Sequence, residues 1–308
     1  MSGEGCMNHS RWREAAQAEL GVSLGHWQKL GGGDFAQSWQ ATVISSDNAP
    51  LAIEDIVFIK THANPPPFHF STEAVGLSWL HKADGVKVPQ VLGVSDDPPF
   101  LALEWIDEGS SGSRVNSSAN LDSEGALGIG LAALHGAPCS QFGRQDQRTT
   151  GSLGLPNEPC DSWATFYATQ RLLPLSRIAA DRQALSRSTV VKIEQLAERL
   201  SEFSNADVLP SLLHGDLWAG NRLIDSDGCN WLIDPACHRG HREFDLAMMR
   251  LFGGYGEQCF ASYNEHFPLD DGWQARIALH QLAPLIVHAI KFGASYVAPT
   301  ENALNQYV

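Results

Sequence analysis

Apolar and polar positions alternate in short runs over the first third of the chain, a pattern typical of β-strands. A strand is expected before the glycine-rich turn at 31–33, and a second over 38–45, where apolar residues recur at every other position. Residues 51–60 are rich in β-branched and aromatic side chains, which predicts a third strand that ends in a lysine. Two more strands are predicted over 88–94 and 100–106, on either side of a turn that contains two prolines.

Helical spacing accompanies these strands in two places, over 10–20 and over 71–83. In the second segment Ser71 is the expected N-cap, and Glu73 lies in the first turn. Leucines four and seven positions after Glu73 place its carboxylate on the same face as the apolar stripe. A carboxylate on an inward face needs a cationic partner, so the pattern predicts one for Glu73.

The remainder of the chain changes in composition. Residues 108–120 are polar and rich in serine and glycine, which predicts a connector near a boundary between two lobes. Beyond it, helices are predicted over 123–135, 161–180, 186–203, 243–252 and 272–292, interrupted by a strand pair at 222–225 and 230–234. A β-rich third followed by an α-rich remainder predicts an α+β fold with a cleft between its lobes. We expect residues 1–105 to form a small N-lobe and residues 106–308 a larger helical C-lobe.

The bulk composition excludes several classes of function. Of the 308 residues, 43% are hydrophobic and 18% are charged, the balance of a globular protein. The formal net charge of -14 repels nucleic acids and anionic lipids, so neither is expected as a partner. We expect no membrane span and no secretory signal, because no apolar run has the required length or flanks. Six scattered cysteines without a framework spacing are typical of free thiols, so we expect a cytoplasmic protein.

The segment HGDLWAGN at 214–221 carries the strongest chemical signal. Asp216 and Asn221 are separated by four residues, the spacing of a kinase catalytic loop, and Asp234 ends an apolar strand 13 residues later. In phosphoryl transfer an aspartate can orient the acceptor hydroxyl and take its proton, and asparagine and aspartate oxygens suit Mg²⁺. We therefore expect ATP and Mg²⁺ as cofactors, Asp216 as the catalytic base, and Asn221 and Asp234 as metal ligands. The alternative is a turn rich in Asp and Asn before a hairpin.

An upstream set of residues meets the needs of ATP binding. The strand lysine suits the α- and β-phosphates, the inward glutamate would hold it, and glycine backbone allows close approach to phosphate. Backbone groups where the lobes join suit adenine. The candidates for these roles are Gly32, Gly33, Lys60, Glu73, Glu104, Trp105 and Ile106. The alternatives are a flexible turn, a surface lysine and the plain end of a core strand.

Two stretches in the C-terminal half resemble the fructosamine kinase/ketosamine-3-kinase family. They are LLHGDLWAGN at 212–221 and LIDPACHRGHREFDLAMMRLFGGY at 232–255. The part at 240–254 separates this family from antibiotic kinases, which share only the HGD…N core. The resemblance extends from about residue 12 to residue 295.

This resemblance implies a protein-kinase-like two-lobed fold of the aminoglycoside-phosphotransferase-like branch, and it supports the same site residues. The implied reaction transfers the ATP γ-phosphate to the 3-hydroxyl of a ketosamine, a sugar–amine adduct, in the repair of glycated proteins or metabolites. The sequence departs from the family pattern at 34–37, where small hydroxyl residues are expected, and at 61–69 and 108–120. The phosphate contacts of the turn and the acceptor specificity are therefore left open.

Candidates for the acceptor site follow the catalytic segments. They are Trp218, His241, Arg242 and Glu243. An indole face can support a sugar ring, and a glutamate can meet the substrate amine. The alternatives are core packing for the tryptophan and a solvated helix start for the other three. We expect Asp245 and His214 to have structural roles, and we expect no zinc site.

Two other functions stay open at this point. One is a kinase for a different small molecule, with an aminoglycoside-, choline- or homoserine-like acceptor. The other is a non-catalytic nucleotide-binding module, against which the complete set of kinase residues argues. The sequence leaves open the preferred sugar–amine, whether the amine is free or protein-linked, and the oligomeric state.

Overall fold

The computed structural model describes residues 4–31, 35–46, 50–108, 117–203 and 207–308. Its N-terminal part is a five-stranded antiparallel sheet in the order β1-β2-β3-β5-β4. The strands are β1 (Val22–Leu30), β2 (Gln37–Ser46), β3 (Ile56–Thr61), β4 (Val91–Asp96) and β5 (Pro99–Glu104). All five strands of the sequence prediction are therefore present, with shifted ends.

Each face of this sheet is covered by one helix. Phe100 and Ala102 of β5 pack in a cluster with Trp12 of α1 (Glu4–Leu20), whereas Leu101 and Leu103 pack with α2 (His69–Ala83). Successive residues of a strand point to opposite faces, so β5 is buried on both sides and lies inside the sheet. Lys60 on the neighbouring strand β3 is thus carried by a rigid layer.

The third strand begins later than predicted, for a local reason. The Asp55 carboxylate accepts a hydrogen bond from the Ala52 N–H at 2.7 Å, and Glu54 has a φ of 77°. Such a side-chain-capped turn competes with strand pairing, so residues 51–55 connect β2 and β3 instead of extending β3. The prediction of a strand over 51–60 was correct only for its second half.

Helix α2 begins two residues before its predicted start, and the N-cap prediction was wrong. Phe68 occupies the cap position with a φ of 60° and gives no side-chain cap. Ser71 lies inside the first turn, where its hydroxyl donates to the Asp96 carboxylate at 2.6 Å. The start of α2 is therefore held by the hydrogen bond to Asp96 at the end of β4, and not by an N-cap side chain.

The C-terminal part is mostly helical. Its helices are α3 (Ser117–Gly136), α4 (Trp163–Tyr167), α5 (Leu173–Asp181), α6 (Arg187–Glu198), α7 (Glu243–Phe252), α8 (Glu257–His266), α9 (Trp273–Phe292) and α10 (Val297–Leu304). The bounds of α7 match the prediction, and α9 differs from it by one residue. The sequence reasoning missed α8 and α10. The predicted helix over 161–180 is interrupted by a π-helical turn at Ala168–Leu172, between α4 and α5.

Two short antiparallel pairs stand between these helices. Strand β6 (Ser211–Leu213) pairs with β9 (His238–Gly240), and β7 (Arg222–Ile224) pairs with β8 (Asn230–Leu232). The segment 214–221 therefore runs from one pair to the other, and Asp234 follows β8. Within the described ranges, no helix has the length and apolar character needed to cross a membrane.

Candidate active site

The loop that contains Asp216 is held by backbone hydrogen bonds. The N–H groups of His214 and Gly215 donate to the two carboxylate oxygens of Asp245 at 2.8 and 2.9 Å. Asp245 is fully buried on α7, and the ring of His214 lies 2.9 Å from the carbonyl oxygen of Ile233. The structural roles predicted for Asp245 and His214 are confirmed.

Gly215 allows the sharp turn directly before Asp216. Its φ is +82°, and an added Cβ would lie 2.3 Å from the carbonyl oxygen of Ala236. Both the positive φ and the missing side chain are therefore required at this position. The turn brings the loop against the segment that follows Asp234.

Asp216 and Asn221 are in direct contact. The side-chain amide of Asn221 donates to the Asp216 carbonyl oxygen at 2.8 Å and to its carboxylate at 3.1 Å. Desolvation raises the pKa of Asp216 to about 7, and the hydrogen bond from Asn221 opposes this shift. A carboxylate with this pKa is suited to accept a proton near neutral pH.

Lys60 joins the sheet to the end of β8. Its ammonium donates to the Glu73 carboxylate at 2.7 Å and also to the Asp234 carboxylate. Burial alone would lower the pKa of Lys60, but the two carboxylates raise it above its ordinary value. The predicted cationic partner of Glu73 is therefore Lys60.

The backbone at Asp234 and the start of α2 complete this arrangement. Asp234 has a φ of 56°, an unusual conformation for a residue other than glycine and one that is frequent at functional sites. Gly76, one turn after Glu73, approaches the segment behind Asp234, because an added Cβ would meet the Cβ of Cys237 at 2.7 Å. Helix α2 therefore lies directly against this segment.

These side chains border one cavity of about 290 Å³. It brings together the predicted residues Lys60, Glu73, Asp216, Trp218, Asn221 and Asp234. The Trp218 side chain is 39% exposed at this cavity, and its ring centroid lies 6.0 Å from that of Phe252. The opposite wall is formed by residues of α7 and α9.

Of the remaining ATP-binding candidates, Glu104, Trp105 and Ile106 are not among the described residues that line this cavity. Gly32 and Gly33 lie outside the described residues. Glu104 ends β5, where its N–H donates to the Gln90 carbonyl oxygen at 2.9 Å, and Trp105 and Ile106 follow it half-buried. The segment 104–106 therefore lies at the end of the sheet.

His241, Arg242 and Glu243 are not among the residues that line this cavity. All three are buried, and Glu243 receives hydrogen bonds from Arg276 at 2.6 and 2.9 Å. Its oxygen also lies 3.3 Å from the ring of His280 on α9. The reason is the start of α7, which turns these side chains toward α9 after β9 ends. Burial raises the pKa of Glu243, but the hydrogen bonds overcome this effect and lower it to about 2.

Several residues that line the cavity were not among the predicted site residues. Arg171 on the π-helical turn is one, and its guanidinium donates to the Pro156 carbonyl oxygen and to the side chain of Asn157, each at 2.7 Å. Phe35 and His69 are two others. A π-helical turn is itself frequent at functional sites, but no residue pattern in the sequence marks it.

Comparisons with known proteins agree with this geometry. The model of one family, described as fructosamine kinase, matches residues 9–308. A protein of Lactiplantibacillus plantarum named "Probable ketoamine kinase" is 34% identical over 81% of this chain and 86% of its own. A chloroplastic protein-ribulosamine 3-kinase of Arabidopsis thaliana is 30% identical over 82% of this chain and 76% of its own.

Solved structures resemble the whole chain. A crystal structure from Thermobifida fusca YX-ER1, assigned as a fructosamine-3-kinase, has 34% sequence identity and a TM-score of 0.82, and covers 96% of this chain and 97% of its own. An aminoglycoside phosphotransferase reaches a TM-score of 0.60 at 14% identity, over 98% and 99% of the two chains. The second likeness concerns the fold alone, and it confirms the predicted kinase-like architecture.

Proposed function

The chain belongs to the fructosamine kinase family, and from this premise we propose that it transfers the γ-phosphate of ATP to the 3-hydroxyl of a ketosamine. The observation that carries the proposal is the convergence of Lys60, Glu73, Asp216, Asn221 and Asp234 on one cavity. These residues come from three separate parts of the chain. Positioning and charge neutralisation are the main requirements of phosphoryl transfer, and this set meets both.

At the acceptor, we assign Asp216 as the group that orients the 3-hydroxyl and takes its proton. Its raised pKa supports this role, because a stronger base accepts the proton more readily. Asn221 keeps the Asp216 carboxylate in place through the 3.1 Å hydrogen bond. Trp218 offers its exposed ring to the sugar, in the way that aromatic side chains commonly contact apolar ring faces.

At the nucleotide, Lys60 would bind the α- and β-phosphates while Glu73 holds it in position. The segment 104–106 would offer backbone groups to adenine, and Gly32 and Gly33 would bring backbone N–H groups to phosphate. These assignments follow the kinase pattern of the sequence. They are proposals for this chain.

Asn221 and Asp234 suit a hard cation such as Mg²⁺. The Asn221 amide nitrogen donates to Asp216, which leaves the amide oxygen as the donor for a metal, and Asp234 supplies a carboxylate. When bound, Mg²⁺ would neutralise negative charge on the phosphates.

The proposed role of the reaction is the repair of glycated amines. Phosphorylation at the 3-position would destabilise the adduct and release the amine. This role is supported by the family and by a relative that is named a ribulosamine 3-kinase. It predicts that free amine accumulates after phosphorylation of a ribulosyl- or fructosyl-amine.

The deciding experiment is a coupled assay with ATP, Mg²⁺ and either ribulosyl-lysine or fructosyl-lysine, followed by analysis of the phosphate position. We expect a 3-phosphate and slow release of lysine. Asp216→Asn should lower kcat by a factor of about 1,000 or more while it still binds Mg·ATP. Unchanged turnover in this variant, or exclusive phosphorylation of an aminoglycoside or choline, would falsify the proposal.

A further inference from the structure

Two segments depart from the family pattern, residues 34–37 and residues 61–69. Ring contacts join Phe35 of the first segment to two histidines of the second. Phe35 belongs to the departure at 34–37, and His62 and His69 belong to the departure at 61–69. The rings of Phe35 and His62 are stacked, with centroids 4.2 Å apart and planes 5° apart. The ring of His69 lies 4.7 Å from that of Phe35, with the planes tilted by 50°.

The segment from His62 to Ser71, on which Phe35 stacks, is held by hydrogen bonds of its own. The Nδ1 atom of His62 accepts a hydrogen bond from the Asn64 N–H at 2.9 Å, which sets the orientation of the ring. At the other end, the N–H and hydroxyl of Ser71 donate to the Asp96 carboxylate at 3.3 and 2.6 Å. Phe35 therefore stacks on a support that β3 and β4 already hold in place.

His69 borders the same cavity as the proposed phosphate-binding residues. It is the first residue of α2, one helical turn before Glu73, so the two side chains share a face of the helix. Its ring also meets that of Phe70 edge-on, with centroids 5.2 Å apart. The imidazole thus contacts both Phe35 and Phe70 at the border of the cavity that Lys60 also lines.

The electrostatics of His69 agree with contact to an anion. Burial, followed by the positive charge of Lys60, lowers the pKa of His69 to about 4. The ring is therefore neutral at physiological pH, and it keeps one N–H group. A neutral imidazole in this position can donate that N–H to a phosphate oxygen.

We propose that His69 binds the phosphate end of the nucleotide, and that the stacked pair Phe35 and His62 holds its imidazole in position. In the glycine-rich turn of this chain, Phe35 stands in the stretch where a small hydroxyl residue is expected. A phosphate contact from that stretch is replaced by one from the start of α2. The inference rests on the proposed function, because it requires ATP to enter this cavity.

The test is calorimetric binding of Mg·ATP and of adenosine to the full chain, without an acceptor. His69→Phe keeps an aromatic ring and removes the N–H, and it should weaken Mg·ATP binding about tenfold, the value of one hydrogen bond to a charged group. Adenosine affinity should stay within about twofold, because the proposed contact of His69 is to a phosphate, which adenosine lacks. The matched control is His81→Phe, an exposed histidine on the same helix.

Two further variants separate binding from packing. His69→Gln restores an N–H donor and should recover most of the lost Mg·ATP affinity. Phe35→Leu removes the ring stack and should weaken Mg·ATP binding about threefold, again with little effect on adenosine. Kinetics should show the same losses in KM for ATP and not in KM for the ketosamine.

Three results would overturn the inference. They are an unchanged Mg·ATP affinity in His69→Phe, an equal loss for adenosine and Mg·ATP, or no recovery in a folded His69→Gln protein. Wild-type protein that binds no Mg·ATP would instead contradict the proposed function. The two failures are therefore distinguishable in one set of titrations.

Discussion

Two buried glutamates near the starts of two helices make an instructive comparison. Glu73 on α2 and Glu243 on α7 each contact a basic side chain, Lys60 and Arg276, at 2.7 and 2.6 Å. The Glu243 side chain is 2% exposed and has a second partner in His280. In the Glu73 pair, Lys60 also contacts Asp234, whose side chain is 40% exposed and lines the cavity.

The pKa shifts of the two glutamates have opposite signs. Burial raises the pKa of Glu73 and the negative charge of Asp234 adds to this effect, so Lys60 offsets the rise only in part. The pKa of Glu243 is lowered to about 2, because the nearby ring of His280 and the hydrogen bonds from Arg276 outweigh burial. The charged form is therefore disfavoured by burial at Glu73 and favoured by the partners of Glu243. Of the two pairs, only Glu73 and Lys60 line the cavity.

The largest effect should come from Glu243→Gln. This change leaves Arg276 without its carboxylate, and breaking a buried pair typically costs about 3–5 kcal/mol. We expect urea unfolding to show this loss, and kcat below the melting temperature to stay within about twofold of wild type. Glu265→Gln, at an exposed position on α8, is the control and should leave stability unchanged. A large loss of kcat in folded Glu243→Gln would instead support the acceptor-site role for this residue.

Acid titration of stability should depend on Glu243. Because its pKa in the folded protein is about 2 and its ordinary value is 4.5, ionised Glu243 stabilises the fold above about pH 4.5. This contribution, about 3 kcal/mol, is lost as the pH falls toward 2. Unfolding measured at several pH values should show a shallower acid slope in Glu243→Gln than in wild type. Parallel slopes would contradict the assignment.

Glu73→Gln should show the reverse behaviour. Lys60 loses a partner that holds it, and a misplaced phosphate ligand typically costs about 100-fold in kcat/KM. Stability should change by less than about 1 kcal/mol, because the lost carboxylate is one whose charge burial disfavours. Steady-state kinetics and melting curves on the same samples would check both parts. A strong destabilisation with normal kinetics would erase the contrast between the two glutamates.

The pH dependence of the reaction should reflect Asp216. Because the base acts in its ionised form and its pKa is raised to about 7, kcat/KM should fall about tenfold per pH unit in more acidic buffer. The rate should level off above the pKa. A profile that is flat from pH 5 to 8 would argue against Asp216 as the base.

A smaller effect is expected at the start of α2. Ser71→Ala removes the hydroxyl that donates to Asp96, which should cost about 1 kcal/mol. Thermal unfolding would measure this loss. It should leave the Glu73–Lys60 contact intact, and a matching fall in kcat/KM would mean that α2 had moved.

The sequence predicted the parts of this molecule that depend on local spacing. The bounds of α7 follow from its apolar stripe and the two glycines after it, and Asp216, Asn221 and Asp234 meet because a short hairpin joins them. The inward face of Glu73 predicted Lys60 as its partner. The lobe boundary near residue 105 stays a prediction.

Other features depend on contacts that no local pattern contains. His241–Glu243 follow Asp234 closely in the chain, yet the path through β9 directs them toward Arg276 and His280, which are more than 30 residues away in sequence. The π-helical turn that carries Arg171 looks like ordinary helix in the sequence. The meeting of Phe35 with His69 joins two segments separated by the whole of β2 and β3.

Gly76 has a consequence for the separation of the two carboxylates that hold Lys60. A methyl group at this position would lie 2.7 Å from the Cβ of Cys237, so α2 comes this close to the segment after Asp234 only because residue 76 has no side chain. The distance between the Glu73 and Asp234 carboxylates, which both contact Lys60, therefore depends on how closely α2 packs against this segment. Gly76→Ala would push α2 away from Cys237 and increase the distance between the Glu73 and Asp234 carboxylates, without changing any charge.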